Sequence, residues 1–371
     1  MTEHATRMLV TNLFNSWNHG EILSLQAIVS FLGATDRQIV VCCPYAIVDK
    51  KMLPEGVSYS GRESRRASGL RYYLNVLINL FYLMKELRRC TVVLDVGGDT
   101  ISDQDGVVYT LAHCASILLS HVFSKPVIVM PQTILPFKYG FTRRIAKAAL
   151  NSCLGVFVRE QRGYDYLRSL GVKVDGICFD LAFLTLCTGS KREERFGVNL
   201  SKYLHTRCGH HPEVLAVLKR LDREIAYVPH VLGDEARSDL PLCTEFSQEC
   251  KGTVFLSTAE DTRRFISSLS FLVAERYHAI ISALSTCTPV LAISLSIKVQ
   301  DLITDFGLRH YLIDPRDPNF HDILNEKLTD MLNRHADIEA SLKLRVAPAQ
   351  DMARDLVGRI DDCIMALRLL Q

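Results

Sequence analysis

Six short runs, RMLVTNL (7–13), RQIVVCC (37–43), TVVLDV (91–96), PVIVMP (126–131), GVFVRE (155–160) and VDGICFD (174–180), are apolar along most of their length rather than at every second position. A strand that is apolar on both faces must be covered on both, which is the condition of an inner strand of a parallel sheet. Longer stretches with helical spacing separate them, at 22–32, 70–89 and 162–171. This alternation predicts a doubly wound α/β half. After the charged segment SKREERFGVN (190–199) the pattern restarts, with EIAYVPH (224–230), TVFLS (253–257), SLSFLVA (268–274) and PVLAISL (289–295) as strands and a helical tail from about residue 321. A chain of 371 residues also exceeds what one core organises. The expected bodies are 1–187, 188–335 and a helical 336–371 packing back on the first, with a hinge in 186–199.

Composition narrows the function classes. With 43 basic and 41 acidic residues the formal charge is +2, and no run of like charges marks a tail, so a nucleic-acid partner is not expected. The 12 cysteines fall mostly within apolar runs, where they act as small buried hydrophobes of a reducing compartment. The start, MTEHATRMLV, lacks the pattern of a secretory signal. No apolar stretch reaches the ~18 residues of a membrane span. These features predict a cytoplasmic protein.

Open α/β sheets bind ligands beyond the carboxyl ends of their strands. The polar insertions of this chain fall there: NSWNHGE (15–21), GGDTISD (97–103), PQTILPF (131–137), Arg159 and Asp180. Each has a structural reading by itself. Gly97 and Gly98 suit a tight turn, Asn18 with Gly20 and Glu21 a capped helix start, Arg159 an ion pair, and Asp180 a helix cap. AERYHAII (274–281), however, sets an acid, an arginine, a tyrosine and a histidine directly after an apolar strand, where a lone His278 would be structural but the combination is not what packing requires.

Taken in order, NSWNHGE, LDVGGD, MPQTILPF, FVRE, FDLAF and AERYHAIISALSTCTPVLAISLSIKVQDLITDFGL resemble the polysaccharide pyruvyl transferases over roughly residues 8–310. Three positions depart from the family pattern: Glu21 for an aspartate, Asp99 for a third glycine, and Glu160 for an aspartate. The resemblance implies transfer of pyruvate from phosphoenolpyruvate to two hydroxyls of one sugar, as a cyclic ketal, with release of phosphate. It implies a GT-B-like fold of two Rossmann-like domains facing across a cleft, and no cofactor or metal. It also implies roles. Arg276 and Arg159 hold the donor from opposite sides, since arginine meets carboxylate and phosphate with paired donors. Tyr277 and Lys298 join the donor group, and His278 is the general acid or the group assisting phosphate departure. Asn18, Gln132 and the loop Gly97, Gly98 and Asp99 lie on the acceptor side; His113, on YTLAHCASILL, is a base for a sugar hydroxyl or a structural histidine.

Two segments stand outside that pattern. RESRRASGLRYYLNVLINLFYLMKELRRC (62–90) is apolar and aromatic at its centre with basic ends, which suits a packed helix or an interfacial helix at the inner face of an anionic membrane carrying a lipid-linked glycan. LHTRCGHHP gathers His205, Cys208, His210 and His211, but the spacing matches no standard zinc site, so an exposed loop is expected. The rivals to pyruvyl transfer are a GT-B nucleotide-sugar glycosyltransferase or epimerase and a non-catalytic glycan-binding protein.

Overall fold

Val92–Asp95 forms strand β4 and is buried at all four positions, and β6 (Gly155–Val158) is the same. Their side chains are enclosed above and below, as the uniform apolar runs require. The computed structural model describes residues 6–369 apart from 34–36, 46–47, 63–69, 105, 185–191, 222 and 234–237. These gaps contain part of the expected hinge and part of the 62–90 segment.

The chain divides into two units. The first runs up to Ser16, continues over Ser24–Leu181, and resumes from Met352. Its strands β1 (Thr6–Thr11), β2 (Arg37–Val41), β3 (Val57–Tyr59), β4, β5 (Val127–Gln132), β6 and β7 (Gly176–Ile177) form one sheet in the order β3-β2-β1-β4-β5-β6-β7. Every pairing is parallel, and Val10 of β1 stands opposite both Val41 and Leu94. Helices α1 (His19–Leu32), α2 (Leu70–Leu87), α3 (Val107–Val122), α4 (Gly140–Asn151) and α5 (Gln161–Ser169) connect the strands. Leu83 and Leu87 of α2, Ile117 of α3, Ala146 and Leu150 of α4 and Leu167 of α5 share one core with Val93, Val129 and Val158, so α2 to α5 cover the same face of the sheet.

The second unit comprises Trp17–Leu23 and Ala182–Asp351. Strands β8 (Phe196–Asn199), β9 (Ile225–Tyr227), β10 (Gly252–Val254), β11 (Phe271–Ala274), β12 (Val290–Ile293) and β13 (Leu312–Ile313) run parallel in the order β10-β9-β8-β11-β12-β13. Its helices are α6 (Lys202–Cys208), α7 (His211–Lys219), α8 (Leu240–Glu249), α9 (Ala259–Ser268), α10 (Tyr277–Ser285), α11 (Ile297–Asp305) and α12 (Phe320–Leu369). FGVN, which reads as the end of a linker, is the central strand β8. Its four residues are all buried, and Phe196 stacks on its register partner Phe271 at 4.9 Å. The tail is one helix of 50 residues with Pro348 inside it; it counts with the second unit to Asp351 and with the first thereafter. In the first unit it is tied by an Arg37–Asp361 ion pair and by Arg359 lying 5.6 Å over the Phe157 ring.

Both sheets reverse their strand order beside their first strand, between β1 and β4 and between β8 and β11. These are the topological switch points at which doubly wound folds bind ligands. AERYH leaves β11 at the second of them.

Candidate functional site

Arg276 lies two residues past the end of β11 and is the N-cap residue of α10, with an extended backbone whose N–H donates to Asn199 Oδ1 at 2.9 Å. Its guanidinium meets Asp239 at two points: Nε donates at 3.0 and 3.2 Å and Nη2 at 2.5 Å. Asp239 also accepts from the Lys202 and Val231 amides, each at 3.0 Å. Burial lifts its carboxyl above the ordinary value even with Arg276 beside it. The arginine is thereby held in one orientation, while its side chain keeps 21 % of its surface exposed. A partly exposed guanidinium positioned by a buried carboxylate at a helix N-terminus can take an anion.

His278 is half-buried one residue into α10 and packs edge to face with Tyr277 at 5.2 Å. Lys298, the second residue of α11, sits 5.0 Å over the Tyr277 ring. Arg276, Tyr277, His278 and Lys298 are thus brought together. The first turn of α1 joins them: a Cβ on Gly20 would fall 1.8 Å from His278 Cγ, so the imidazole lies where only glycine leaves room. Asn18 caps that turn, its Oδ1 accepting from the Gly20 amide at 3.2 Å. Although the sequence assigns Asn18 to the first half, it pairs with Val231 in an antiparallel bridge, and the His19 amide donates to His230 O at 3.0 Å. These bonds fasten Trp17–Leu23 to the second unit.

His19 and His230, which the sequence reading passes over, are both 1 % exposed, with ring centroids 5.6 Å apart. Burial pushes His19 down to about 4; burial and then the charge of His19 push His230 far below its ordinary value. Both rings are therefore neutral. Both His19 ring nitrogens and His230 Nε2 lack a hydrogen-bond partner among the described residues. His230 stands three residues past β9, and His19 opens α1 at the end of the loop that follows β1; those positions were the signal available in the sequence.

Beneath Arg276 lies a second buried set. Glu275 accepts from His210 Nε2 at 2.8 Å, from His211 Nε2 at 3.0 Å and from the Ser201 amide at 2.6 Å. Burial acts to raise its carboxyl, but the bonds from His210 and His211 hold it below the ordinary value. His211 Nδ1 lies 2.6 Å from His205 Nδ1, so one of the two rings donates to the other. The expected exposed loop is corrected here: His210 and His211 are buried, because Glu275, 64 positions away, supplies the counter-charge that an isolated spacing cannot reveal. His210, His211 and Glu275 are the group, among the described residues, whose ligand atoms converge within 4.8 Å and could hold a metal ion.

The remaining sequence candidates lie in the first unit. Arg159, largely buried, pairs through Nη2 with Asp180 at 2.7 Å, and Asp180 also accepts from Ser24 at 3.0 Å. Asp95, fully buried, takes His113 Nε2 at 2.9 Å together with Gln132 and Asn12. Burial alone would raise its carboxyl, yet His113 and these bonds keep it lowered. His113 Nδ1 meets Thr100 Oγ1 at 2.8 Å, and the ring occupies the space a Gly97 side chain would need. Thus Gly97 permits the approach of His113, Gly98 turns with φ +64°, and Asp99 is half-buried. Gln132 and His113 both point at Asp95. His113 also borders a shallow depression lined by Asn12, Phe14, Tyr45 and Tyr109.

The family model for polysaccharide pyruvyl transferase matches residues 18–296, which include Asn18, Arg159, Arg276 and His278. A comparison with curated proteins gives no match. Among solved structures, a UDP-glucosyltransferase from Polygonum tinctorium in complex with 3,4-dichloroaniline has a TM-score of 0.62 at 12 % identity, over 98 % of this chain and 100 % of that one. The S. aureus MnaA–UDP structure has 0.62 at 12 %, over 98 % and 97 %. A putative UDP-N-acetylglucosamine 2-epimerase from Listeria monocytogenes has 0.60 at 11 %, over 97 % of each. At these identities the likeness is one of fold, and it bears out the GT-B-like α/β architecture.

Proposed function

Because the chain belongs to the polysaccharide pyruvyl transferase family, a family of transferases, we propose that it moves pyruvate from phosphoenolpyruvate onto two hydroxyls of one sugar in a cell-surface glycan or its lipid-linked precursor. One observation carries the reading: a carboxylate-anchored Arg276, His278 and Lys298 surround the N-terminus of α10 at a switch point of the sheet. Arginine, lysine and a helix N-terminus together suit a small ligand bearing both carboxylate and phosphate.

In the proposed reaction, His278 delivers a proton to the methylene carbon of the donor, using the π electrons of its double bond. C2 becomes electrophilic and one sugar hydroxyl attacks it. The C2–O bond to phosphorus then breaks with its electron pair on the departing phosphate, and the second hydroxyl closes the ketal. One hydroxyl proton restores the imidazolium and the other leaves with phosphate, so no redox partner or cofactor enters. Arg276 and Lys298 balance the charge on the leaving group. Arg159 is assigned to the donor by the family pattern, and Gln132 and the Gly97–Asp99 loop to the acceptor. Burial disfavours the protonated forms of His19 and His230, so the transferred proton is not assigned to either.

Binding tests the donor. Phosphoenolpyruvate should raise the melting temperature and bind competitively with inorganic phosphate, and Arg276→Ala should lose this response. Protection by uridine diphosphate, with none by phosphoenolpyruvate, would favour a nucleotide-sugar transferase on the same fold.

A further inference from the structure

Helices α2, α3 and α4 form one layer over the first sheet, and their outer sides are unusual in both polarity and charge. Leu74, Leu77 and Phe81 recur at helical spacing along α2, and the latter two are 64 % and 61 % exposed. On α3, Val108 and Val122 are more than two-thirds exposed; Tyr139 and Phe141, at the start of α4, are half exposed with rings 5.9 Å apart. The sole carboxylate in the three helices is Glu86, which is buried and paired with Arg7 at 2.6 Å. Exposed bases flank the apolar side chains: Lys85, Arg88 and Arg89 at the end of α2, with the Arg88 guanidinium 5.2 Å over the Phe123 ring just past α3. Lys138, Arg143, Arg144 and Lys147 are exposed around α4. Of the three acids between β4 and α3, Asp103 is buried, Asp99 is half-buried and Asp105 lies outside the described residues. In a chain with nearly equal acid and base totals, a layer in which α2 and α4 expose cations, α3 adds apolar side chains and the one carboxylate is buried marks a directed surface.

We propose that the outer face of α2, α3 and α4 is a docking surface for an anionic lipid bilayer. Apolar and aromatic side chains enter the headgroup boundary while the surrounding lysines and arginines meet acidic headgroups, the two interactions that hold a peripheral protein. The surface is broader than the 62–90 segment, since α4 contributes the aromatic pair and three of the bases. A second copy of the chain suits it poorly, because two such faces would bring like charges together without counter-ions. The inference stands apart from the donor reading.

The full chain is sedimented with vesicles of phosphatidylcholine alone or mixed with phosphatidylserine, at low and high salt. Retention on the acidic vesicles, reduced by salt, is expected. Arg143→Gln, Arg144→Gln and Lys147→Gln combined should weaken partitioning by on the order of 100-fold, about fivefold per base. Leu77→Ser with Phe81→Ser should weaken it at unchanged charge. All five side chains are exposed, so melting temperatures should stay the same. No retention, equal retention on both lipids, or indifference to both variants would overturn the proposal. So would a wild-type dimer that the Leu77, Phe81 variant fails to form, which would assign the face to a second copy.

Discussion

Replacing Gly20 by alanine tests whether the first turn of α1 shapes the site at His278. The new Cβ would stand 1.8 Å from His278 Cγ, 2.1 Å from Nδ1 and 2.3 Å from Cδ2. Carbon contacts settle near 3.5–4.0 Å, so the ring must withdraw by about 2 Å. Misplacing a reacting group by about 1 Å costs on the order of 100-fold, and at least that loss of turnover is expected. Stability gives an independent reading. Alanine inside a helix is favoured over glycine by about 0.5–1 kcal/mol, whereas overpacking costs about 1–3 kcal/mol; the net effect should be destabilising. In a His278→Ala background the obstruction is gone, and the same substitution should become stabilising by about 0.5–1 kcal/mol. The assay is urea unfolding of the four proteins, with phosphate release from phosphoenolpyruvate as the activity measure. An identical Gly20→Ala effect in both backgrounds, or wild-type turnover in the single variant, would refute the reasoning.

Three further outcomes are expected. Asp239→Asn should weaken phosphoenolpyruvate binding about tenfold, because Arg276 loses the charge that orients it; calorimetric titration showing unchanged affinity would dissociate the pair from the donor site. The neutral His19 contributes stability that is fully present above its unfolded value near 6.5 and is lost as the pH falls toward about 4, on the order of 3 kcal/mol in all; His19→Gln should flatten that window in unfolding curves at pH 7 and 4.5, and parallel curves would contradict it. Glu275→Gln should cost about 2–4 kcal/mol, because it strips a buried carboxylate from two imidazoles; a urea midpoint near wild type would show that the His210–Glu275–His211 set carries little of the fold.

Much of this architecture could be read from the chain because inner parallel strands are apolar on both faces. TVVLDV and GVFVRE announce β4 and β6 without any partner in view. FGVN reads as linker because four residues after a charged run show no periodicity, and the pairing of Phe196 with Phe271 discloses its place. The edge strands β3 and β13 are two or three residues long and partly exposed, too short to rise above turn composition, whereas the equally short β7 falls within VDGICFD. AERYH was conspicuous because charge directly after a buried strand needs a reason. Its supporting groups were not, since Asp239 and His210 lie 37 and 65 positions from their partners. Sequence spacing reports on one helix or one loop; it says nothing of what the second sheet brings to the same corner.

Product analysis tests the ketal chemistry assigned to His278 and Arg276. The protein is incubated with phosphoenolpyruvate and extracted cell-surface glycan precursors, and the glycans are weighed by mass spectrometry while phosphate is counted. A mass gain of one pyruvate less one water is expected, with one phosphate released per ketal and a loss of roughly 100- to 10,000-fold in His278→Asn with phosphoenolpyruvate binding retained. Glycan of unchanged mass with no phosphate released, or a His278→Asn protein that forms the ketal at the wild-type rate, would contradict it.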